Sequence, residues 1–288
     1  MMDYNLFKSI AFSRIKEFLP PIYSDFEPVL ERVRKVNEEK DALILRPPDA
    51  DSYKALPMVY LDDMYEVFCE TQDLDDVLLA IASVIVNYTG YYPDDMVDLD
   101  FSKMKDRIIM NLISYDMNEE LIKTIPHTDL SNMAIIYRVI MGYENNGFNS
   151  VIVNEGVLEE LGLTIGELHE CAMRNTKRIF PEMINKLDDG AYILTNESGL
   201  FGASMMLYKD VMSRVGEMMG DDEFYVVPSS IHELVLVSRE IADPHSLVRM
   251  LAEGNDAINM SKEILSNSIY EYNCDSGECT VVASYEDA

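Results

Sequence analysis

Positive charge is scarce in this sequence. Its 288 residues include 23 lysines and arginines but 52 aspartates and glutamates, which gives a net charge of −29. A surface of this sign repels phosphate groups, so we expect no direct binding of nucleic acid. For the same reason the chain is a poor partner for the anionic face of a membrane, and we expect no membrane association.

Long hydrophobic runs are also missing. The longest uncharged stretch extends from Val77 to Pro93, and its strongly apolar part ends at Asn87. That part has about ten residues, whereas a helix needs roughly 20 to span a bilayer. The N-terminal residues interrupt their apolar positions with charges, among them Lys8 and Arg14, and do not fit a secretory signal. These features predict a cytoplasmic protein.

Cysteine is rare as well, with four residues in the chain. This number is too small for a disulfide scaffold, and no second pair or nearby histidines complete a zinc site. Cys274 and Cys279 flank the turn sequence DSGE and could face each other across a hairpin. The sequence leaves open whether they pair, although a cytoplasmic location favours two reduced thiols. We expect no bound metal.

Signatures of cofactor binding are absent too. The sequence contains neither GxxxxGK[ST] nor GxGxxG, the glycine-rich loops that hold nucleotide phosphates. The segment DLDFSKMKDRII has acids where a calcium loop begins, but Lys103 replaces the required glycine and Ile109 replaces the final glutamate. We therefore expect no cofactor.

Apolar residues are abundant, at 48% of the chain, which is enough for a sizeable core. Helical spacing marks residues 6–19 and 74–88, and a capping box of Thr164 and Glu167 begins a helix over 164–179. Runs rich in β-branched and aromatic residues, such as MAIIYRVIM, AYILTN and TVVASY, predict strands joined by short turns. The mixture predicts an α+β fold in which mixed, largely antiparallel sheets pack with helices.

The acidic residues are concentrated in one segment. Residues 1–48 are neutral, whereas residues 49–100 carry thirteen acids and a single base, Lys54. We expect an acidic N-terminal α+β region over 1–97 and a C-terminal α+β region over 98–288, with the boundary near 93–99. A single domain is the alternative.

Two interpretations of the acidic segment remain open. Like most charge runs it could form a solvated face that only keeps the protein in solution. It could instead engage a basic protein, in which case Asp94, Asp95, Asp98 and Asp100 are the candidate contact residues.

The stretch FYVVPSSIHELVLV, residues 224–237, places two serines and a histidine in an apolar run. A zinc-binding HExxH is excluded because Leu236 stands where the second histidine belongs. In a continuous strand Ser230 and His232 would share one face, so a serine nucleophile with a histidine base is conceivable but poorly aligned. The alternative, which we favour, is a bend over 228–230 beside a buried strand, with His232 hydrogen-bonded within it.

The alternation of HELVLV has a period of two residues, as in a strand. It predicts extended structure over 224–227 and 233–237, with Leu234 and Leu236 buried. His232 and Glu233 would then point to opposite faces, so they could not easily share a metal ion.

Several segments together resemble a known family. They are DALILRPP, LPMVYLDDMYEVF, LSNMAIIYRVIM, LGLTIGELHECAMRNTKRIFP, AYILTNESGLFGASMMLY, FYVVPSSIHELVLVS and DPHSLVRML. The resemblance covers residues 25–273, is most specific at PSSIHE and LTN…GA, and is to domain of unknown function 5688, found mainly in gut-dwelling Gram-positive bacteria. It implies an intracellular bacterial protein with many divergent copies and a link to mobile elements. It supplies no catalytic residues.

The leading interpretation is a cytoplasmic, non-enzymatic interaction or regulatory protein, because a large acidic excess coincides with no recognisable catalytic constellation. One alternative is a hydrolase of unfamiliar type that uses Ser230 and His232. Another is an acidic mimic of nucleic acid that occupies the binding groove of a basic protein.

Overall fold

The computed structural model describes residues 2–48, 58–89, 100–144, 147–257 and 261–285. The chain divides into two compact units, Met1–Asp100 and Phe101–Ala288, which we call the N-terminal unit and the C-terminal unit. The boundary expected near 93–99 lies outside the described residues. Both units combine helices with antiparallel sheets, so the predicted α+β class is confirmed.

Within its described residues, the N-terminal unit combines an antiparallel sheet with α-helices. In chain order the elements are α1 (Tyr4–Arg14), β1 (Glu27–Lys35), β2 (Glu38–Arg46), β3 (Met58–Tyr60), α2 (Leu61–Thr71) and α3 (Leu74–Thr89). The strands lie in the order β1-β2-β3. α3 confirms the helix predicted over 74–88. The helix predicted over 6–19 is shorter than expected, because α1 ends at Arg14 and continues as a 3₁₀ turn.

β1 and β2 form a hairpin. Their register pairs Glu27 with Arg46 and Lys35 with Glu38, and Asn37 adopts a left-handed conformation in the turn, with φ of 59°. Asparagine tolerates positive φ because its short polar side chain can bond locally to the backbone. Asn37 is therefore well suited to the turn that joins the antiparallel strands β1 and β2.

Apolar faces of the helices form the core of the N-terminal unit. Phe7 of α1 stacks with Phe68 of α2, with ring centroids 5.7 Å apart. Leu78 and Ile81 of α3 are fully buried in the same core, together with Leu43 of β2. The three-to-four-residue spacing of such positions gives each helix one apolar stripe, which packs inward.

The C-terminal unit contains two antiparallel sheets. The smaller sheet consists of β4 (Ile108–Ser114), β5 (His127–Leu130), β6 (Met133–Glu144) and β7 (Gly147–Ile152). β6 is its longest strand, with β4 on one edge and β5 and β7 following each other on the opposite edge. Every residue of β4 is buried, as expected for a strand that is covered on both faces.

The larger sheet has six strands. In chain order they are β8 (Glu182–Asp188), β9 (Ala191–Asn196), β10 (Glu223–Val227), β11 (Leu234–Ser238), β12 (Ser268–Asn273) and β13 (Cys279–Ser284). In space they lie in the order β13-β12-β10-β11-β9-β8. β10 and β11 confirm the extended structure predicted there, and Leu234 and Leu236 are both fully buried. The extended structure predicted for Glu233 is wrong, because this residue lies in the loop before β11 and not in the strand.

The helices of the C-terminal unit begin and end at local signals. They are α4 (Glu119–Ile122), α5 (Glu155–Leu161), α6 (Ile165–Ile179), α7 (Lys209–Met219) and α8 (Pro244–Ala257). The predicted capping box at α6 is confirmed: Thr164 Oγ1 accepts the N–H of Glu167, whose carboxylate accepts the N–H of Thr164. Asp243 caps α8 by accepting the N–H of Ser246 at 3.0 Å.

Some elements were not predicted from the sequence, among them β5, β8 and α5. β8 is mostly exposed on both faces, so its sequence EMINKLD has no alternation of apolar and polar residues. It is a strand because its backbone pairs with β9, from Glu182 opposite Asn196 to Asp188 opposite Ala191. Tertiary pairing overrides a weak local pattern here.

The two cysteines at the last hairpin do not face each other. Across that hairpin Cys279 lies opposite Tyr272, while the N–H of Cys274 donates to the carbonyl of Asp222. Both thiols are free. Burial raises the pKa of Cys279 to about 12, so this thiol stays protonated at neutral pH.

The described part of the chain contains no helix with the length and apolar character that a membrane crossing requires. It also contains no group of three or more histidine, cysteine, aspartate or glutamate side chains arranged to hold a metal ion.

Asn111 of β4 is an unusual core residue. It is fully buried, and among the described residues neither its Nδ2 nor its Oδ1 has a hydrogen-bond partner. Strand alternation places it on the same face as Ile109 and Ile113, which are buried and apolar. A buried polar group without a partner costs about 1–3 kcal/mol. Asn175 of α6 is almost as buried but donates to the carbonyl of Lys105 at 2.8 Å.

We predict that Asn111→Leu raises the free energy of unfolding by about 1–2 kcal/mol, because it removes an unpaired amide from an apolar site and keeps the number and branching of the side-chain heavy atoms. Asn175→Leu is the matched control and should lower it, since the carbonyl of Lys105 loses its donor. Urea denaturation of both variants measures the difference. A loss of stability in Asn111→Leu equal to that in Asn175→Leu would contradict the prediction.

Candidate functional site

Two loops meet at the ends of two neighbouring strands of the larger sheet. β9 and β11 are antiparallel neighbours, with Leu194 opposite Leu234. Because of this register, the loop that follows β9 (197–201) and the loop that precedes β11 (228–233) lie at the same end of the strand pair. We call them the 197–201 loop and the 228–233 loop. The second contains Ser230 and His232, the two residues that the sequence identified as weak catalytic candidates.

His232 connects the two loops. Its Nδ1 accepts a hydrogen bond from the backbone N–H of Phe201 at 3.1 Å, and its carbonyl oxygen accepts one from Thr195 Oγ1 at 2.8 Å. The imidazole also stacks on the Phe201 ring, with centroids 5.9 Å apart and 27° between the planes. These contacts attach the 228–233 loop both to the end of β9 and to the neighbouring loop.

The close approach of the loops constrains the backbone at Phe201 and Gly202. Phe201 has a φ of 56°, a left-handed conformation that costs a bulky residue on the order of 1–3 kcal/mol. A Cβ atom on Gly202 would collide with Thr195 Oγ1 and the carbonyl of His232, and would lie 2.8 Å from Thr195 Cα. Glycine is therefore required at position 202, where the two loops make contact.

Asn196 holds the 197–201 loop from the inside. Its side chain is 1% exposed. The Oδ1 atom accepts the N–H and the hydroxyl of Ser198 at 3.0 and 2.8 Å, and Nδ2 donates to the carbonyl of Leu200 at 2.8 Å. One buried amide thus pairs with the polar groups of a whole turn, which fixes the position of Phe201 at the end of that turn.

Ser230 is hydrogen-bonded to the backbone of its own loop. Its Oγ accepts a hydrogen bond from the N–H of His232 at 3.0 Å, and its own N–H donates to the carbonyl of Glu233 at 3.2 Å. Among the hydrogen bonds of the described residues, none joins Ser230 Oγ to the imidazole of His232. The shared strand considered from the sequence is wrong, because both residues lie in the 228–233 loop.

Burial lowers the pKa of His232 below its usual value, because a charged imidazolium loses solvation in this position. The carboxylates of Glu263 and Glu233 act in the opposite direction but do not reverse the shift. Because Nδ1 accepts the N–H of Phe201, the neutral ring carries its proton on Nε2. In this tautomer the imidazole is a structural acceptor for Phe201 and has no free base directed at Ser230.

Of the four aspartates predicted as a partner surface, only Asp100 is among the described residues, and it is half-buried. Other acids of the 49–100 segment, Asp62 and Asp63 among them, make contacts within the N-terminal unit. Asp62 Oδ2 accepts the N–H of Asp41 at 2.8 Å, and Asp63 forms an ion pair with Lys40. Part of the acidic segment therefore stabilises its own unit.

A polar cavity lies in another part of the C-terminal unit. It has a volume of about 420 Å³ and is bordered by the turn between β5 and β6 and by strands β12 and β13. Polar side chains dominate its lining, including those of Ser114, Asp116, Asn132, Ser266, Asn267 and Ser268. Sequence reasoning missed this site, because each position is a common small polar residue. The polar run SNS at 266–268 is its one visible trace.

The fold and these two places define an α+β protein of two units, with a closed pair of loops at one end of a strand pair and a polar cavity between sheets. The chain belongs to the family of unknown function DUF5688, whose family model matches residues 4–190 and 186–274. This confirms the resemblance found in the sequence. Comparison with curated proteins and with solved structures finds no match.

The contacts of His232 predict a specific pH dependence. At pH values between the usual pKa of histidine, about 6.5, and the lowered pKa of His232 in the folded chain, His232 binds a proton in the unfolded chain but not in the folded chain. The free energy of unfolding should therefore fall as the pH drops below about 6.5. His232→Asn keeps an acceptor near the position of Nδ1 without a titrating group, so it should retain most of the stability and lose this dependence.

His232→Ala is the comparison variant. It leaves the N–H of Phe201 without an acceptor and should lower the free energy of unfolding by about 1–3 kcal/mol at neutral pH. Urea denaturation near pH 7.5 and near pH 5.5 measures all three proteins. An identical pH dependence in the wild type and in His232→Asn would contradict the assignment.

Proposed function

We propose that this protein acts by binding other molecules and not by catalysis, as an interaction or regulatory protein. The proposal rests on the hydrogen bonds of Ser230 and His232. The hydroxyl of Ser230 accepts the N–H of His232, and Nδ1 of His232 accepts the N–H of Phe201. A serine hydrolase needs the opposite arrangement, in which a ring nitrogen accepts the proton of the hydroxyl. A cytoplasmic location and a link to mobile elements stay predictions from the sequence.

The charge distribution supports a basic protein as the partner. The C-terminal unit carries 31 acidic and 14 basic residues, a net charge of −17. Several of its bases are occupied by ion pairs within the unit, such as Lys177 with Asp210 and Arg214 with Glu182. The uncompensated carboxylates leave a negative potential over the surface, which attracts cationic partners and accelerates their association.

The first test addresses catalysis. We predict that a fluorophosphonate probe leaves the protein unlabelled, because Ser230 has no aligned base. Ser230→Ala should lower the free energy of unfolding by about 0.5–1.5 kcal/mol, the contribution of one hydrogen bond. Ser229→Ala, a change of the adjacent serine, is the matched control for the probe. Stoichiometric labelling that disappears in a folded Ser230→Ala variant would establish the hydrolase alternative.

The second test addresses the partner. We predict that a partner recovered from a host lysate is basic and that its affinity falls as the salt concentration rises from about 50 to about 200 mM, because ions screen surface charges. Four aspartates of the 49–100 segment are changed together to asparagine: Asp94, Asp95, Asp98 and Asp100. This variant should bind more weakly, as measured by titration calorimetry.

The control variant removes the same amount of charge from the C-terminal unit. It changes four exposed glutamates to glutamine: Glu197, Glu217, Glu240 and Glu253. A larger loss of affinity in the aspartate variant assigns the contact to the 49–100 segment. Affinity that is independent of salt and equal in both variants and the wild type would overturn the electrostatic proposal. Displacement of the partner by duplex DNA would show that the protein occupies a nucleic-acid groove.

A further inference from the structure

We propose that the polar cavity of the C-terminal unit binds a neutral polyhydroxylated molecule about the size of a sugar. Its volume of about 420 Å³ lies within the range of small-molecule sites, roughly 300–1,000 Å³. The cavity shares no lining residue with the 228–233 loop. The inference therefore goes beyond the proposed function and does not depend on it.

A network of hydrogen bonds forms one wall of the cavity. Asn132 Nδ2 donates to Ser268 Oγ at 3.0 Å, and the hydroxyl of Tyr270 donates to Asn132 Oδ1. Ser266 Oγ lies 2.8 Å from the same hydroxyl. A phenol has one proton, so Ser266 must donate its own proton to the phenol oxygen. The wall therefore has a fixed orientation before any ligand binds, which reduces the entropic cost of binding.

Two serine hydroxyls of the cavity retain a proton to donate. Ser268 Oγ accepts the bond from Asn132, and Ser114 Oγ accepts the N–H of Met117 at 3.4 Å. Among the described residues, neither hydroxyl proton has an acceptor. Ser268 is 3% exposed and Ser114 is 6% exposed. A molecule inside the cavity is therefore the acceptor that these two donors can reach.

The rim of the cavity adds an acceptor and an apolar surface. Asp116 is exposed there, and within the described part of the chain no ion pair involves its carboxylate. A carboxylate accepts strong hydrogen bonds from hydroxyl groups. Tyr285 is 56% exposed and lines the cavity together with Val281. An exposed aromatic ring next to polar groups can cover the C–H face of a ligand while its hydroxyls are hydrogen-bonded.

The charges around the cavity limit the class of ligand. Among the described residues its lining contains no lysine or arginine, and the C-terminal unit has a net charge of −17, so phosphate and carboxylate groups are repelled. A wholly apolar ligand would leave the buried hydroxyls of Ser114 and Ser268 unpaired, which is costly. Donors, a carboxylate acceptor and an aromatic ring on one small surface match a neutral polyol.

The test begins with ligand screening on the full chain. The melting temperature is measured with neutral hexoses, pentoses and disaccharides, and with nucleosides and sugar phosphates as comparison arms. We expect at least one neutral sugar to raise the melting temperature in a concentration-dependent manner, as any ligand of the folded state does. We expect the phosphate of the same sugar to bind more weakly. Nucleosides that bind while free sugars do not would overturn the assignment.

Two variants assign the binding to the cavity. Asp116→Asn should weaken binding of the best sugar by about tenfold, because it replaces a charged acceptor without changing the side-chain volume. Ser268→Ala should weaken it by about three- to tenfold through loss of one donor. Asp129→Asn, at an exposed carboxylate of β5 outside the cavity lining, is the matched control and should bind as the wild type does.

Titration calorimetry or ligand-observed NMR gives the affinities. Circular dichroism verifies that each variant is folded. If Ser268→Ala does not fold, the exposed Asp116→Asn variant decides the question. The proposal is overturned if no neutral sugar binds, if sugar phosphates bind more tightly, or if Asp116→Asn has the affinity of the wild type.

Discussion

The antiparallel pairing of β9 with β11 is the constraint on which the loop site depends. It joins a strand that ends at Asn196 to one that begins at Leu234, and it fixes both in the middle of the six-stranded sheet. The loops at the adjacent ends of these two strands must then share a small space. The glycine at 202, the left-handed Phe201 and the hydrogen bonds of His232 are all consequences of this shared space.

The same groups that would perform catalysis elsewhere have a mechanical role in this fold. A histidine whose Nδ1 accepts a backbone N–H, and a serine whose hydroxyl accepts another, satisfy backbone donors of a half-buried pair of loops. The polar cavity is the contrasting case, since its Ser114 and Ser268 keep protons that the described residues do not accept. The chemistry of a polar residue therefore depends on which of its hydrogen-bonding atoms the backbone already uses.

The sequence could predict local structure well. The capping box at Thr164, the helix over 74–88 and the alternation around Leu234 all depend on neighbours within a few positions, and all are confirmed. The sites depend on distant pairs. His232 is hydrogen-bonded to Phe201, 31 positions away in the sequence, and Asn132 to Ser268, 136 positions away. No spacing rule relates such residues, so the sequence pointed to PSSIHE but not to its bonding, and it did not reveal the cavity.

The left-handed conformation of Phe201 also has a kinetic consequence. Its strain is offset in part by the hydrogen bond of its N–H to His232 Nδ1, 31 positions away. The isolated 197–201 segment has no reason to adopt this geometry, because left-handed backbone is unfavourable for a bulky residue. We therefore expect the loop pair to close after the strands have paired, late in folding. Damage to it should then accelerate unfolding while leaving the folding rate nearly unchanged.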